Sequence, residues 1–412
     1  MNKKFENYGA FEANDNWKML TERPEPIYGR ADDIRSPFGR DYTRILHSLA
    51  FRRLRHKTQV FFNAGDNDHI CTRIEHVLHV ESVSSTIADY LGLNSELTKA
   101  ISMAHDLGHA PFGHQGESIL NDITMEYLGE SFWHERNGLY FVDNVELLED
   151  DRRRLRPLDL TYAVRDGIIS HCGEVDVNAL RPRSELMDLY DFKEPGQYEA
   201  ATWEGCVVKI ADKIAYLGRD IEDAGRLGIL EESKLEELLS AELFNRANAL
   251  NTTVIMHNAI IDLCRESSPE EGLKFSDEVF AQLTAIKDFN YKNIYLHPEL
   301  IKMKKNARKQ LEGMFLGLSK LYNGAETINM LDSESKRLGS AVLSDFADWL
   351  SHYVDEGILT ESHRKGAALC LNKKIYGKLE HEKIFYRAVI DYIAGMTDSF
   401  AEKAYEELEK IC

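Results

Sequence analysis

The stretch HDLGHAPFGHQGE, His105–Glu117, decides how this 412-residue chain is read. It packs imidazole and carboxylate groups around two helix-breaking points, Gly108 and Pro111. Neighbouring residues on a helix point about 100° apart, so a mid-helix His105–Asp106 pair would face two different neighbours. At a helix end both side chains can turn toward one divalent ion, and Gly108 and Pro111 place such an end here. The dipeptide alone is weak, because its bland reading is a histidine at a helix C-terminus. Its surroundings carry the argument.

Upstream, Arg73–Leu91 (RIEHVLHVESVSSTIADYL) has apolar residues at helical spacing, with Gly92 as the C-cap and His76 in its first turn. Asn94 or Ser95 caps a second helix, in which Leu97, Ala100, Ile101 and Ala104 form the stripe that delivers His105. A third helix, Trp203–Leu217 (WEGCVVKIADKIAYL), carries Asp212 in an apolar interior. A carboxylate is costly to bury unpaired, so it needs either an arginine such as Arg219 or a cation. With His76, His105 and Asp106 nearby in the pattern, a cation is the better reading.

The order His76, His105–Asp106, Asp212 resembles the HD superfamily of metal-dependent phosphohydrolases. Further blocks are similar to the bacterial dNTP triphosphohydrolases of the dGTPase-like branch: RDYTRILHSLAFRRLRHKTQVF (Arg40–Phe61), the His105–Glu117 run, KIADKIAY ending at Tyr216, LKFSDEV (Leu273–Val279) and IDYIAGMTDSFA (Ile390–Ala401). The resemblance implies an all-α fold, an HD-domain helical core with additional C-terminal helices. The Asp143–Arg156 charge run and the KEPGQ loop at Lys193–Gln197 suggest excursions from it, one of them a small β-hairpin.

The same resemblance implies that His76, His105, Asp106 and Asp212 hold the metal. Mixed imidazole and carboxylate donors suit Mn²⁺, Mg²⁺, Fe²⁺ or Ni²⁺ without choosing among them. It implies catalytic roles for His114 and Glu117, which three-residue spacing would put on one helix face, and for His134 in the block FWHE (Phe132–Glu135). It does not say which histidine is acid and which is base. Gln59 matches a residue that reads the deoxyribose, and Arg73 one that faces phosphate. Tyr216 and Asp220 match residues that stack on and recognise the sugar, with Tyr216 crowding out a ribose 2′-hydroxyl. His109 reads as a supporting residue, and His79 is not expected to ligate. Lys213 stands where relatives usually carry an acid, Arg136 where many have Gln, and Tyr42–Thr43 where many have Asp-Arg. Lys213 could neutralise a triphosphate or simply be solvated.

A net charge of −19 disfavours general nucleic-acid or membrane coating, so a polyanionic substrate must meet a local basic pocket. Arg52, Arg53, Arg55, Lys57 and Arg73 are its candidates. Six scattered cysteines without a CxxC pair imply neither a zinc knuckle nor a disulfide framework. Absence of an apolar leader or spanning run predicts a cytoplasmic protein with no membrane partner. There is no Walker-type glycine loop and no internal repeat.

Residues 1–37 read as a polar arm, 38–230 as the phosphohydrolase core, and 231–412 as a helical region packed on the core and at an oligomer interface. The aromatic stretch Asp288–His297 suits packing across such an interface. Resemblance implies a dNTP substrate, a dNTP effector, single-stranded DNA as a partner of some relatives, and a homo-oligomer, hexameric by preference. The expected reaction releases deoxynucleoside and inorganic triphosphate. An HD phosphodiesterase or nucleotidase acting on another nucleotide, and a dNTP-sensing regulatory protein with low turnover, stay open beside it.

Overall fold

A computed structural model describes residues 3–25, 27, 32–61, 69–172, 177–239 and 251–411. The elements that position the site are, in chain order, α1 (Pro37–His47), α2 (Arg73–Leu91), α3 (Ser95–Ala104), α4 (Gly113–Tyr127), α5 (His134–Tyr140), β1 (Leu147–Glu149), β2 (Leu155–Pro157), α6 (Tyr162–Ser170), α7 (Trp203–Arg226), α8 (Asp277–Asn290), α9 (Glu382–Ala394) and α10 (Asp398–Ile411). Among the described residues the protein is all-α apart from the β1–β2 hairpin. Two compact units interleave along the chain: one of residues 1–46, 59–107 and 159–303, the other of residues 47–58, 108–158 and 304–412.

In the first unit α2 packs against both α3 and α7, and α6 packs on α3 and α7. The reason is a single stripe on α2. Val77, Val80, Val83, Ile87 and Leu91 are buried along it, and the same stripe continues at its N-terminal end as Arg73 and His76. Apolar spacing therefore drives two polar side chains into the interior, where they must find partners. The Glu75 carboxylate accepts from Thr72 N at 2.7 Å to start α2. Gly92 ends it with φ of 91°, a left-handed cap that suits glycine. Asn94, rather than Ser95, caps α3, accepting from Glu96 N and Leu97 N. The helix stops at Ala104, so His105 is its C-cap.

The polar N-terminal arm is fastened to this unit. Phe5 is fully buried with its ring 4.9 Å from that of Trp203, and the buried Glu204 carboxylate accepts from Ala10 N and Asn94 N. An apolar anchor and a carboxylate inside the α7 N-terminus thus order a stretch whose composition reads as loop.

In the second unit the charge run folds as the small hairpin. Leu147 pairs with Pro157 and Glu149 with Leu155. Asp150 closes the turn by accepting from the Arg152 and Arg154 amides and from the Arg154 and Arg156 guanidinium groups. Adjacent acidic and basic residues that look solvated in sequence close the turn itself. Here too, Gly108 lies where a Cβ would come within 2.0 Å of the His134 carbonyl oxygen, so no larger residue fits.

Candidate active site

Two side-chain clusters stand out, one in each unit. In the first, α2 supplies His76, the end of α3 supplies His105 and Asp106, and α7 supplies Asp212. His76 Nε2 lies 2.8 Å from Asp212 Oδ1, and His105 Nε2 lies 3.8 Å from the same oxygen. Asp106 Oδ1 is 3.6 Å from His105 Nε2, and its Oδ2 is 3.9 Å from His76 Nε2. Donor atoms of His76, His105 and Asp212 all fall within 4.8 Å of one another. Burial pulls the His76 imidazole pKa down, but the hydrogen-bonded Asp212 carboxylate outweighs it and the net shift is upward. Asp212 shifts the opposite way: burial pushes its carboxyl up, and His76 holds it below the ordinary range.

The His105 ring gives a test of whether these residues fit a cation. Its Nδ1–H donates to the Ser102 carbonyl at 2.6 Å, so in the neutral ring Nε2 is the nitrogen that carries the lone pair. That Nε2 is buried with no hydrogen-bond partner among the described residues. Arg73 and His76 already donate to Asp106 and Asp212, but no donor among the described residues reaches His105 Nε2, which faces an oxygen of each carboxylate at 3.6 and 3.8 Å, and a divalent ion would satisfy that nitrogen and the remaining oxygen lone pairs together. The donor set fits.

Arg73, 1% exposed, donates from Nη1 to Asp106 Oδ2 at 2.7 Å and from Nη2 to the Gln59 carbonyl at 3.2 Å. Gln59 Oε1 is buried without a hydrogen-bond partner among the described residues. Arg219, the alternative partner for Asp212, instead approaches Glu222 and His79. Burial and the Arg219 charge lower the His79 pKa, which keeps that ring neutral. On α7, Asp212, Tyr216 and Asp220 recur every four residues on one face, while the buried Lys213 borders a small cleft with Phe275, Phe280 and Leu283.

The second cluster is built by α4 and α5. Glu117 receives His114 Nδ1 at 3.1 Å and His134 Nδ1 at 3.0 Å, and it also accepts from the His134 amide at 3.0 Å. Burial pushes the Glu117 carboxyl up, but the two imidazoles hold it well below the usual range, so it stays ionised. The rings of His109 and His134 stack at 3.8 Å with an interplanar angle of 18°. One donor atom from each of His109, His114, Glu117 and His134 lies within 4.8 Å of the others, so this group too gathers imidazoles around a single carboxylate.

Some residues were not singled out from sequence. His171 ends α6 as His105 ends α3, with Nδ1 bonded to the Ile168 carbonyl at 2.7 Å, and its ring packs edge-on against His105 at 5.0 Å. A histidine at a second helix C-terminus was the available signal. Tyr295 O–H donates to Asp220, and Asn290 donates to the Leu217 carbonyl, so much of the Asp288–His297 stretch packs on α7 of its own chain. Tyr291 remains 60% exposed.

The basic pocket read from RRLRHK also changes. Lys57 is buried with its ammonium on the carbonyls of His109 and Ala394, and Arg53 pairs with Glu146. Both are committed to the protein's own groups because the segment packs inward.

Comparison with known proteins agrees with this layout. Residues 73–217 match the HD domain, and residues 359–407 match the phosphohydrolase-associated domain. The chain is 32% identical to a deoxyguanosinetriphosphate triphosphohydrolase-like protein of Desulfatibacillum aliphaticivorans, over 91% of this chain and 88% of the relative. Proteins of the same description from Caldanaerobacter subterraneus and Clostridium perfringens are also 32% identical, over 91% and 92% of this chain and 86% and 88% of theirs. No helix among the described residues is long and apolar enough to cross a membrane. With likeness sustained across nine-tenths of its length and through both matched domains, the chain belongs to the deoxyguanosinetriphosphate triphosphohydrolase-like family of HD-domain phosphohydrolases.

Proposed function

We propose that the protein hydrolyses deoxynucleoside triphosphates, dGTP or several dNTPs, to deoxynucleoside and inorganic triphosphate. The observation that carries this reading is the bare, buried His105 Nε2 facing the Asp106 and Asp212 carboxylates, in a chain whose relatives bear the triphosphohydrolase description. His76, His105, Asp106 and Asp212 would hold the divalent cation. When bound, such an ion lowers the pKa of water and neutralises charge on a phosphoryl oxygen.

Cleavage at the α-phosphorus also requires a proton for the departing O5′. The His114–Glu117 pair supplies a proton carrier of the right type: the ionised Glu117 accepts Nδ1–H and leaves Nε2 to exchange protons with solvent or substrate. His134, bonded to the same carboxylate, holds Glu117 in place and limits where its charge can go. Tyr216 and Asp220 are assigned to the sugar, with Tyr295 fixing the Asp220 carboxylate. Gln59, Arg73 and Lys213 are assigned to the rest of the nucleotide. Arg73 reaches that role while bonded to Asp106, so one guanidinium would serve both phosphate and metal ligand.

The test is purified protein with Mn²⁺ and each of the four dNTPs, singly and mixed, with chromatography of the products. Intact triphosphate and free deoxynucleoside are expected. Pyrophosphate with monophosphate, or cleavage only of a nucleotide monophosphate or cyclic nucleotide, points to a different phosphohydrolase. Tight dNTP binding without turnover, singly or mixed, points to a sensor.

A further inference from the structure

The block IDYIAGMTDSFA, Ile390–Ala401, has no place in the chemistry above, yet the turn it forms between α9 and α10 reaches the backbone that carries His114. Asp398 opens α10 and is 8% exposed. Its Oδ1 accepts from Phe112 N at 2.9 Å, and its Oδ2 accepts from Thr58 N at 3.0 Å and Thr58 Oγ1 at 2.7 Å. Phe112 is the residue before α4 and has φ of 65°, a left-handed conformation that a non-glycine residue holds only when its surroundings enforce it. At the other end of the same short loop, the buried Lys57 ammonium joins the His109 carbonyl to that of Ala394. The α9–α10 turn therefore grips both ends of His109–Phe112, immediately before His114.

We propose that this turn sets the geometry of the His114–Glu117 pair, with Asp398 as a positioning residue. It gives part of the phosphohydrolase-associated domain a task in the reaction: holding the strained entry to α4 so that His114 leaves the helix at a fixed angle. The proposal rests on the proton-carrying role assigned to His114 above. Without the Asp398 carboxylate the Phe112 amide loses this acceptor, φ relaxes toward the right-handed region, and the first turn of α4 rotates with its histidine.

The experiment compares full-length Asp398→Ala, Asp398→Asn and Thr58→Val with the parent protein, using Mn²⁺ and dGTP. Misplacement on the ångström scale lowers kcat by about 10²-fold in Asp398→Ala, with KM and bound Mn²⁺ near the parent values. Asp398→Asn keeps one acceptor and falls between. Thr58→Val removes a hydrogen bond to the same carboxylate but leaves Phe112 held, so it lowers Tm while kcat stays within about twofold, well short of the loss that misplacement brings.

A ¹³C-labelled histidine spectrum, with His114 identified by its loss in His114→Ala, should show that signal displaced in Asp398→Ala and unmoved in Thr58→Val. This readout stands even if the parent protein turns over no dNTP, an outcome that would sink the proposed function alone. Unchanged kcat and an unmoved His114 signal in the Asp398 variants overturn the positioning role. So does a kcat loss in Thr58→Val equal to that in Asp398→Ala. If the alanine variant does not fold, the asparagine variant decides between the same outcomes.

Discussion

His105 and His114 come from one short run of sequence and meet opposite fates. His105 is wholly buried, its Nδ1 held by the Ser102 carbonyl, its Nε2 aimed at carboxylates. The His114 side chain is 63% exposed and held by a single bond to Glu117. A ligand must not move, and burial with a backbone acceptor holds the His105 ring in one orientation. A proton carrier must exchange with its surroundings, which exposure and one anchoring carboxylate allow. The two imidazoles differ in what they can do because of what surrounds them.

The sharpest way to break that contrast is to remove one member from each cluster. Asp106→Ala should empty the site of Mn²⁺, measured as bound metal per chain, and lower kcat by about 10³-fold, the scale of a lost Lewis acid. It also strands the buried Arg73 guanidinium, at about 3–5 kcal/mol, so Asp106→Asn is its companion, keeping an acceptor for Arg73 while removing the charge. His114→Ala should keep its metal and lose about 10²-fold in kcat. Equal metal loss in the two variants would erase the distinction and make His114 a ligand.

A smaller effect is expected on the α7 face. Tyr216→Ala should raise the rate on ribonucleotides relative to deoxynucleotides by about 10-fold, the scale of a few apolar contacts in a pocket. An unchanged ratio under matched conditions moves sugar selection to another residue.

How far these clusters could be read in the sequence follows from their physics. The α2 stripe, the α3 cap and the Gly92 stop are local, so periodicity and turn chemistry reveal them, and with them the elements that bear His76, His105 and Asp212. Hydrogen bonds between distant segments are not local. Nothing in the spacing of Lys57 or Asp398 says that they meet the His109–Phe112 loop, and a lysine among arginines reads as one more member of a basic pocket. The interleaving of two units is equally silent, because each short stretch looks helical whichever unit takes it. Asp41 illustrates the same limit: it accepts from Arg23, the Thr161 amide and the Thr161 hydroxyl, partners far along the chain.

Two carboxylates of the second unit, the half-buried Glu117 and the buried Asp391, extend the comparison from histidines to acids, with a modest expected effect on stability. Glu117, flanked by imidazoles, is held well below the ordinary carboxylate range. Asp391, 1% exposed, is raised by burial to about 6, with the Arg387 charge and the Tyr376 hydroxyl, 2.8 Å away, only partly offsetting it. Their linkage to folding therefore has opposite sign. Stability from Glu117 is present above the unfolded carboxylate value and is lost as pH falls through its lowered folded value. Stability from Asp391 is fully present below 3.8, and is lost as pH rises through about 6. Replacing Asp391 by Asn removes that titration, so the variant should match the parent near pH 4 and exceed it in Tm by a few degrees at pH 8, an effect of about 3 kcal/mol. Glu117→Gln should do the reverse, costing stability at pH 8 and converging with the parent in acid. Thermal melts of the Asp391 variant from pH 4 to 8, and of the Glu117 variant from pH 8 down to below the ordinary carboxylate range, decide the matter: curves parallel to the parent throughout would mean that their partners do not set their charge.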